Sequence, residues 1–380
     1  MAPDTETALA DAIKSSTGPL SIRGGGTRCL SGAGTPLSVA GLSGITLYEP
    51  GALTLVVKAG TPVSDITDTL AAEGQQLAFE PMDHRVLLGT EGSPTIGGVL
   101  AANVSGPRRI QGGAARDYAL GVRFVDGSGS IIKNGGRVMK NVTGYDLVKL
   151  MAGSHGTLGV LTEVSLKVLP IPETQATLMI RDLSDNDAIR AMAQATCSPY
   201  EVSGAAHGAK IDGEKPVTLL RIEGFEASVA YRIEALKNTL SSFDAEMDVA
   251  GEAMSKSLWE SVRDVTQMRD LEGDVWRVSC KPSQAATLAD KSGAEGWYFD
   301  RGGGLIWIRT RAGSDLRAHL GTFEGHATLV RADEETRSRL GIFHPEAAGV
   351  ARLSAGLRAR FDPRGILNTG LMEPVTAEAV

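Results

Sequence analysis

A glycine-rich loop that runs directly into a strand decides how the first half of this chain folds. The stretch is Gly153-Ser-His-Gly-Thr-Leu-Gly-Val-Leu-Thr-Glu163, followed by Val-Ser-Leu-Lys-Val-Leu169. From Val160 onward apolar and polar residues alternate, which predicts a strand over 160–169. Glycine permits positive φ angles and a close approach of the backbone to a ligand. We therefore expect a ligand-contacting loop where this strand begins.

Two more glycine-rich loops precede that one. The first is Arg23-Gly-Gly-Gly-Thr-Arg28, after a short strand, and the second is Thr95-Ile-Gly-Gly98, with Asn103, Ser105 and Gly106 downstream. Glycine accounts for 46 of the 380 residues, against about 7% in average proteins. A run of N–H groups after a strand can wrap a pyrophosphate, and tight turns in a loop-rich fold are the alternative interpretation.

Composition excludes several classes of protein. Hydrophobic residues make up 42% and charged residues 22%, which is typical of a globular chain, and the formal net charge of −7 argues against nucleic-acid binding. The cysteines Cys29, Cys197 and Cys280 form no CxxC pair, so we expect no disulfide framework and no cysteine-bound cluster. Because the sequence has no long apolar run and no secretory signal, we expect a cytoplasmic protein without a transmembrane span.

The order of the predicted elements indicates an α+β fold in two domains. The prolines Pro170 and Pro172 interrupt the strand pattern, and glycine becomes less frequent beyond them. The following strands and helices run in β-α-β-β-α-β order, which suggests ferredoxin-like packing. We place domains at 1–172 and 173–345, with a C-terminal helix and tail at 346–380 that return to the first domain.

The last helix is predicted from its apolar spacing. Val350, Leu353, Leu357 and Phe361 fall on one helical face. The helix is expected to end at Asp362-Pro-Arg-Gly365, which leads into the tail.

Taken together and in this order, the three loops resemble the FAD-binding domain of the vanillyl-alcohol oxidase / p-cresol methylhydroxylase (PCMH) superfamily over about residues 15–172. The segment 135–151, Gly-Gly-Arg-Val-Met-Lys-Asn-Val-Thr-Gly-Tyr-Asp-Leu-Val-Lys-Leu-Met, and the strand 159–170 are similar to the smaller FAD-binding component of bacterial glycolate oxidase. The tail 361–370 is similar to the closing motif of that family, with Thr369 where proline is usual. The resemblance implies a PCMH-type FAD-binding domain followed by a smaller ferredoxin-like α+β cap domain.

The resemblance also implies FAD as cofactor and assigns its contacts by position. The pyrophosphate would be held by Gly24, Gly25, Gly26 and Thr27. The flavin side would be contacted by Thr95, Ile96, Gly97 and Gly98, with Ser105 and Gly106 continuing that wall. The ribose or adenine would lie by Gly159 and Val160, and Asn368 would reach the isoalloxazine.

We predict that the FAD is bound non-covalently. Relatives that attach FAD covalently do so through histidine or cysteine. Thr27 stands where a linking histidine often occurs, and neither residue type lies between Gly89 and Gly113. Cys29 is close in sequence, but we expect a small buried thiol there.

The sequence contains only part of the metal-ligand pattern that related enzymes use for substrate chemistry. Related 2-hydroxyacid dehydrogenases hold a metal through two histidines with six residues between them and a later Glu-His pair. His319 and His326 fit the first half of this pattern, but no Glu-His pair follows, and His344 precedes Pro345. Since a catalytic metal normally needs three protein ligands, we predict no bound metal.

Arg263 is the candidate catalytic residue. It lies where relatives place an arginine for the substrate carboxylate, and a guanidinium suits such an anion. Lys281 is similarly placed. A helix-surface arginine and a strand-end lysine are the alternative, which the incomplete metal pattern favours.

The resemblance implies an FAD-binding subunit of a glycolate oxidase complex, which oxidises glycolate to glyoxylate. Its partners would be a catalytic FAD subunit and an iron–sulfur subunit, and the complex would allow peripheral association with the membrane. Two alternatives stay open. One is a self-sufficient FAD-dependent 2-hydroxyacid (D-lactate-type) dehydrogenase, and the other is a non-catalytic FAD-binding subunit for assembly or electron relay.

Overall fold

The computed structural model describes residues 1–30, 32–137, 144–209, 211 and 215–373. Residues 138–143 of the family-like segment and the last part of the tail therefore lie outside the described residues. The chain divides into two compact units. The first unit comprises Met1–Ser105, Gly113–Ile171 and residues 345–373, and the second comprises Gly106–Gly112 and Pro172–His344.

The elements are numbered in chain order within the described residues. The strands are β1 (Leu20–Arg23), β2 (Thr35–Ser38), β3 (Ile45–Glu49), β4 (Thr54–Lys58), β5 (Gln75–Gln76), β6 (Ala119–Val125), β7 (Ile131–Gly135), β8 (Val160–Lys167), β9 (Leu169–Pro170), β10 (Thr174–Arg181), β11 (Gly204–Gly208), β12 (Val217–Gly224), β13 (Met247–Ala250), β14 (Asp274–Cys280), β15 (Gly296–Asp300), β16 (Leu305–Thr310) and β17 (Gly325–Arg331). The helices are α1 (Glu6–Ser15), α2 (Val63–Ala71), α3 (His84–Leu88), α4 (Ile96–Ala101), α5 (Arg109–Gly112), α6 (Ala115–Tyr118), α7 (Leu147–Met151), α8 (Asp185–Thr196), α9 (Glu226–Leu240), α10 (Glu252–Asp264), α11 (Ala285–Lys291), α12 (Leu316–Leu320), α13 (Glu334–Leu340) and α14 (Ala348–Phe361). Short 3₁₀ turns connect several of them.

A five-stranded antiparallel sheet in the order β3-β4-β8-β6-β7 forms the centre of the first unit. The predicted strand at 160–169 is its middle member, β8. A turn at Asp126–Gly129 joins β6 to β7, and the Asp126 carboxylate stabilises it by accepting the N–H groups of Ser128 and Ser130 at 2.9 Å each. Apolar side chains of α2, α4 and α7 pack with those of the sheet to form one core.

A smaller parallel pair, β1 and β2, lies beside the tail of the chain in the first unit. Leu20 of β1 forms a bridge with Leu367, and its N–H bonds to the carbonyl of Ile366 at 2.7 Å. Helix α1 packs against these segments through Leu9 and Ile13, which are fully buried. The segment that contains Ile366 and Leu367 is thereby brought to the strand that precedes the first glycine loop.

The second unit contains the β-α-β-β-α-β pattern twice. Its antiparallel sheet has the order β13-β10-β12-β11-β15-β16-β14-β17. Each half, β10 to β13 and β14 to β17, has its fourth strand at one edge, then the first, third and second strands, which is the ferredoxin-like arrangement. The halves meet at β11 and β15 through two residue pairs, His207 with Phe299 and Gly208 with Tyr298.

The two faces of this sheet differ in chemistry. Helices α8, α9, α11 and α12 contribute to the apolar core on one face. Helix α10 packs on the other face, where Trp259 donates through Nε1 to the Thr177 hydroxyl at 2.9 Å and Ser255 bonds to the same hydroxyl at 2.7 Å. Since neighbouring side chains of a strand alternate between faces, β10 supplies both layers.

Helix α14 presents its apolar face outward. Val350, Leu353 and Leu357 are 51%, 69% and 40% exposed, although Phe361, at the end of the same face, packs on Phe124 with 6.1 Å between ring centroids. The half-buried residues of this helix are Ala351, Ser354, Arg358 and Phe361. The predicted apolar face therefore exists, but most of it faces solvent. Among the described residues, no helix is long and apolar enough to cross a membrane.

Candidate functional site

The first glycine loop lines a cavity of about 380 Å³ within the first unit. Gly24, Gly25, Gly26 and Thr27, all predicted contacts, contribute to its wall together with Thr95 and Gly98 of the second loop. The Thr90 hydroxyl fixes the end of the first loop by donating to the carbonyl of Thr27 at 2.8 Å. A cavity of this volume is typical of a small-molecule site.

An adjoining cavity of about 80 Å³ brings in the third loop and the tail. Gly97, Gly159, Val160 and Asn368 line it, and Gly24 and Gly98 belong to the walls of both cavities. The three glycine loops therefore line two adjoining cavities that share part of their walls.

The first loop needs glycine for steric reasons. A Cβ atom on Gly25 would overlap the carbonyl oxygen of Ser93, and one on Gly24 would overlap the Thr95 hydroxyl. Gly26 has open space around its Cα but a φ of +72°, a conformation that other residues rarely adopt. The backbone of this loop thus lies directly against the second loop and leaves its cavity side bare of side chains.

The second loop begins helix α4. The hydroxyl of Thr95 accepts the N–H of Gly98 at 3.4 Å, and Gly97 lies so close to Ala59 that a Cβ would stand 2.6 Å from its methyl group. Ile96 is fully buried in the core and lines neither cavity, so its side chain positions the loop from behind.

Ser105 and Gly106 lie at the point where the chain passes from the first unit to the second. The Ser105 hydroxyl is buried and accepts the N–H of Ala115 at 2.9 Å. Neither residue lines the two cavities. Their part in FAD binding stays a prediction.

Asn368 ties three segments together. Its amide oxygen accepts the N–H of Ile22 at 2.7 Å, and its amide nitrogen donates to the carbonyl of His155 at 2.8 Å. The residue is 4% exposed, with a φ of +46°. The tail thus holds β1 and the third loop in register beside the smaller cavity, and a contact with the flavin stays a prediction.

Sequence analysis missed two ionisable residues of this site, Arg28 and His155. Arg28 lines both cavities and donates to the carbonyl of Gly98 at 2.9 Å, and burial lowers its pKa to about 10. Burial and the charge of Arg28 lower the pKa of His155 to about 3. At neutral pH the site therefore holds a charged, partly desolvated guanidinium beside a neutral imidazole. The position of Arg28 after three glycines was the one available signal.

Cys29 differs from the expected buried thiol. It is exposed, has a φ of +51° and lines the larger cavity. The loop turns sharply after Arg28, which moves this side chain out of the core.

The predicted substrate residues of the second unit lie on different elements. At the end of α10, Arg263 donates to both carboxylate oxygens of its neighbour Asp264 at 2.9 and 2.7 Å. Lys281 pairs with Glu324 at the surface. His319 lies on α12 and His326 on β17. Within the described ranges, no group of three or more histidine, cysteine or acidic residues is placed to hold a metal.

Comparison with known proteins identifies the family. Residues 1–135 match the FAD binding domain family. The glycolate oxidase subunit GlcE of Escherichia coli (strain K12) is 35% identical over 360 residues, which cover 93% of this chain and 92% of that protein. The chain belongs to the GlcE family. This assignment confirms the predicted resemblance, and the match to the FAD binding domain confirms FAD as the cofactor.

Other relatives of this GlcE-family chain match it over shorter lengths. The glycolate oxidase subunit GlcD of Bacillus subtilis (strain 168) is 34% identical over 42% of this chain and 34% of its own length. A D-lactate dehydrogenase of Anaerostipes hadrus is 33% identical over 43% of this chain and 33% of its own length. These matches agree with the assignment to FAD-dependent oxidoreductases.

Solved structures confirm the fold. An alkyldihydroxyacetonephosphate synthase superposes with a TM-score of 0.71 at 15% identity, covering 97% of this chain and 75% of that chain. A 4-ethylphenol oxidase from Gulosibacter chungangensis superposes with a TM-score of 0.70 at 13% identity, covering 97% and 88%. At such low identity the likeness concerns the fold alone, and it agrees with the predicted PCMH-type α+β architecture.

Proposed function

We propose that this GlcE-family chain is the FAD-binding subunit of a glycolate oxidase complex that converts glycolate to glyoxylate. The observation that carries the proposal is the match to GlcE over almost the whole of both chains. The relative is named as a subunit, which supports an assembly with further subunits. We propose a second, catalytic FAD subunit and an iron–sulfur subunit as partners, in the cytoplasm or, through the complex, at the membrane surface.

The residues of the first unit fit FAD. The pyrophosphate is an anion, and the bare N–H groups of Gly24 to Gly26, with the charged Arg28 beside them, match its chemistry. Thr27 would complete the pyrophosphate wall, Thr95, Gly97 and Gly98 would continue it toward the flavin, and Gly159 and Val160 would border the nucleoside side. Ser105 and Gly106, which line neither cavity, stay predicted contacts on the flavin side. Asn368 would act by fixing β1 and the third loop.

These residues bind and orient the cofactor; FAD itself supplies the two-electron acceptor for oxidation of a hydroxyl group. Arg28 stays protonated at neutral pH and would offset the negative charge of the pyrophosphate. The neutral His155 adds no second positive charge next to it.

Activity of the separate and assembled proteins tests the proposal. The purified chain is expected to carry FAD, and the co-expressed complex is expected to reduce an artificial acceptor with glycolate. Gly24→Asp should abolish the activity of the complex, because its Cβ would overlap the Thr95 hydroxyl and its carboxylate would add negative charge beside the proposed pyrophosphate site.

Two other results would favour the alternatives. Turnover of glycolate or D-lactate by the isolated chain at the rate of the complex would indicate a self-sufficient dehydrogenase. If no 2-hydroxy acid reduces the bound flavin while the complex still needs the chain, its part is assembly or electron relay.

A further inference from the structure

Arg277 is a partly buried arginine without an ion pair. It lies in the middle of β14, opposite Trp307 on β16 and Thr328 on β17. Its side chain forms no hydrogen bond or ion pair with any residue in the part of the chain that the structure describes. Other buried arginines of the same unit do find acceptors, as Arg317 does with the carbonyl of Leu340 at 2.7 Å. A guanidinium left without an acceptor away from bulk water is unfavourable unless an anion reaches it.

The surroundings of Arg277 are positively charged. Burial, followed by the charges of Arg301 and Arg109, lowers the pKa of Arg277 to about 9, and Asp300 opposes them. Helix α5, which begins at Arg109, contacts the 3₁₀ turn that contains Arg301. With one carboxylate acting against three guanidinium groups, this region retains an excess of positive charge, and Arg277 is still protonated at neutral pH.

Sheet register places His326 beside Arg277. Ser279 pairs with His326, and Arg277 pairs with Thr328, so the four side chains share one face of the sheet. The opposite face contains Trp276, Val278, Ala327 and Leu329, which belong to the apolar core. Arg277 and His326 are therefore diagonal neighbours across two strands, a relation that separates Cβ atoms by about 7–8 Å.

We infer that Arg277 binds the carboxylate of a small 2-hydroxy acid on this face of the sheet, with His326 positioned to hydrogen-bond the adjacent hydroxyl. The planar fork of a guanidinium matches a carboxylate, and the diagonal relation places the His326 imidazole on the same face of the sheet. Partial burial and the charges of Arg277 and its neighbours lower the pKa of His326, so its ring is neutral and can accept a hydrogen bond. Arg277 rather than Arg263 is then the carboxylate ligand, because the guanidinium of Arg263 is already bonded to Asp264. The identity of the anion rests on the proposed function.

Binding of glycolate and acetate to the full-length, FAD-loaded chain tests the inference. The two anions share a carboxylate and differ by the hydroxyl. Affinities are measured by calorimetry, anaerobically and without an external electron acceptor, so that glycolate can reduce each bound flavin at most once. The parent chain is expected to bind both anions, glycolate more tightly.

The variants separate the two roles. Arg277→Gln should weaken both anions at least tenfold, whereas Arg277→Lys should retain part of the affinity. His326→Leu should remove the preference for glycolate over acetate. Arg269→Gln, at an exposed arginine paired with Asp270, is the matched control and should bind both anions as the parent does.

Several outcomes would overturn the inference. They are a parent chain that binds neither anion, an Arg277→Gln chain that binds both unchanged, and a loss of binding with Arg263→Gln but not with Arg277→Gln. Thermal unfolding of every variant, with and without acetate, shows whether a loss of binding reflects misfolding.

Flavin absorbance in the same titrations distinguishes this inference from the proposed function. Arg277-dependent binding without flavin reduction would leave the anion site standing and would count against oxidation in this chain. Flavin reduction by glycolate that does not depend on Arg277 would support oxidation in this chain and would count against the anion site at Arg277.

Discussion

At the scale of single residues, Gly25 shows how tightly the cofactor loop is built. Gly25→Ala would drive a methyl group into the carbonyl of Ser93, so the first and second loops would have to separate. We expect the variant to lose FAD and about 1–3 kcal/mol of unfolding free energy. Flavin absorbance per chain and thermal unfolding measure the two effects. Gly356→Ala, on α14 with open space around it, is the control and should keep its FAD.

The position of Cys29 raises the question of whether FAD is attached covalently, because this residue lines the larger cavity. We still expect non-covalent FAD, since Thr27 stands in place of a linking histidine and the second loop offers neither histidine nor cysteine. Acid precipitation should release all the flavin into the supernatant, from the parent and from Cys29→Ser alike. Yellow colour in the parent's pellet that disappears with Cys29→Ser would show a covalent bond instead.

At the scale of elements, one ion pair anchors helix α1 to the five-stranded sheet. The carboxylate of Glu6 accepts hydrogen bonds from Arg123 on β6 and, at 2.6 Å, from the Thr162 hydroxyl on β8. Burial alone would raise the pKa of Glu6, but these hydrogen bonds and the charge of Arg123 outweigh it and lower the pKa below the ordinary 4.5.

The depressed pKa gives stability a defined pH dependence. The contribution of Glu6 is fully present above its ordinary pKa and is lost as the pH falls through the lower folded value. We expect Glu6→Gln to cost about 1–2 kcal/mol of unfolding free energy at pH 7 and less at pH 3, where part of the Glu6 population is protonated. Urea unfolding at both pH values measures this, with Asp11→Asn on the exposed side of α1 as control. An equal loss at both pH values would contradict the assignment.

Elements whose signal is local were predictable from the sequence, and others were not. The turn after Asp126 and the strand β8 follow from residue types and alternation within a few positions. Strand β11 has the sequence Gly-Ala-Ala-His-Gly, which lacks the β-branched and aromatic residues that favour strands. It is a strand because β12 and β15 pair with it on either side, and such pairing is not visible in a short window.

Some residues of the candidate sites were likewise predictable from the sequence, and others were not. The glycine loops were found because their backbone geometry demands a residue type. Arg28 and Arg277 were missed because what distinguishes them is burial and the presence or absence of acceptors around them, which only the folded chain shows.

At the scale of the whole molecule, the second unit is built from one pattern used twice. Sequence spacing predicted a single ferredoxin-like arrangement, whereas the structure has two, joined edge to edge in one sheet. The second copy went unrecognised because β11 lacks the residue types that favour strands, and β13 and β15 are only four and five residues long. Since β14 and β17 belong to the second copy, the cluster around Arg277 lies entirely on that half of the sheet and the segments beside it.

The pairing of β11 with β15, where the two halves meet, affects how the second unit unfolds. Two residue pairs connect β11 to β15, whereas five connect β15 to β16, so the two halves share few backbone pairs where they meet. The apolar layer beneath it is continuous, however, and Leu220 of one half and Ile308 of the other belong to the same core. Because burial of apolar surface outweighs two ladder pairs, we expect the halves to unfold together. In deuterium exchange of the full chain, amides of β12 and β16 should merge into a single cooperative opening as denaturant rises, and separate openings would show that the halves are independent folding units.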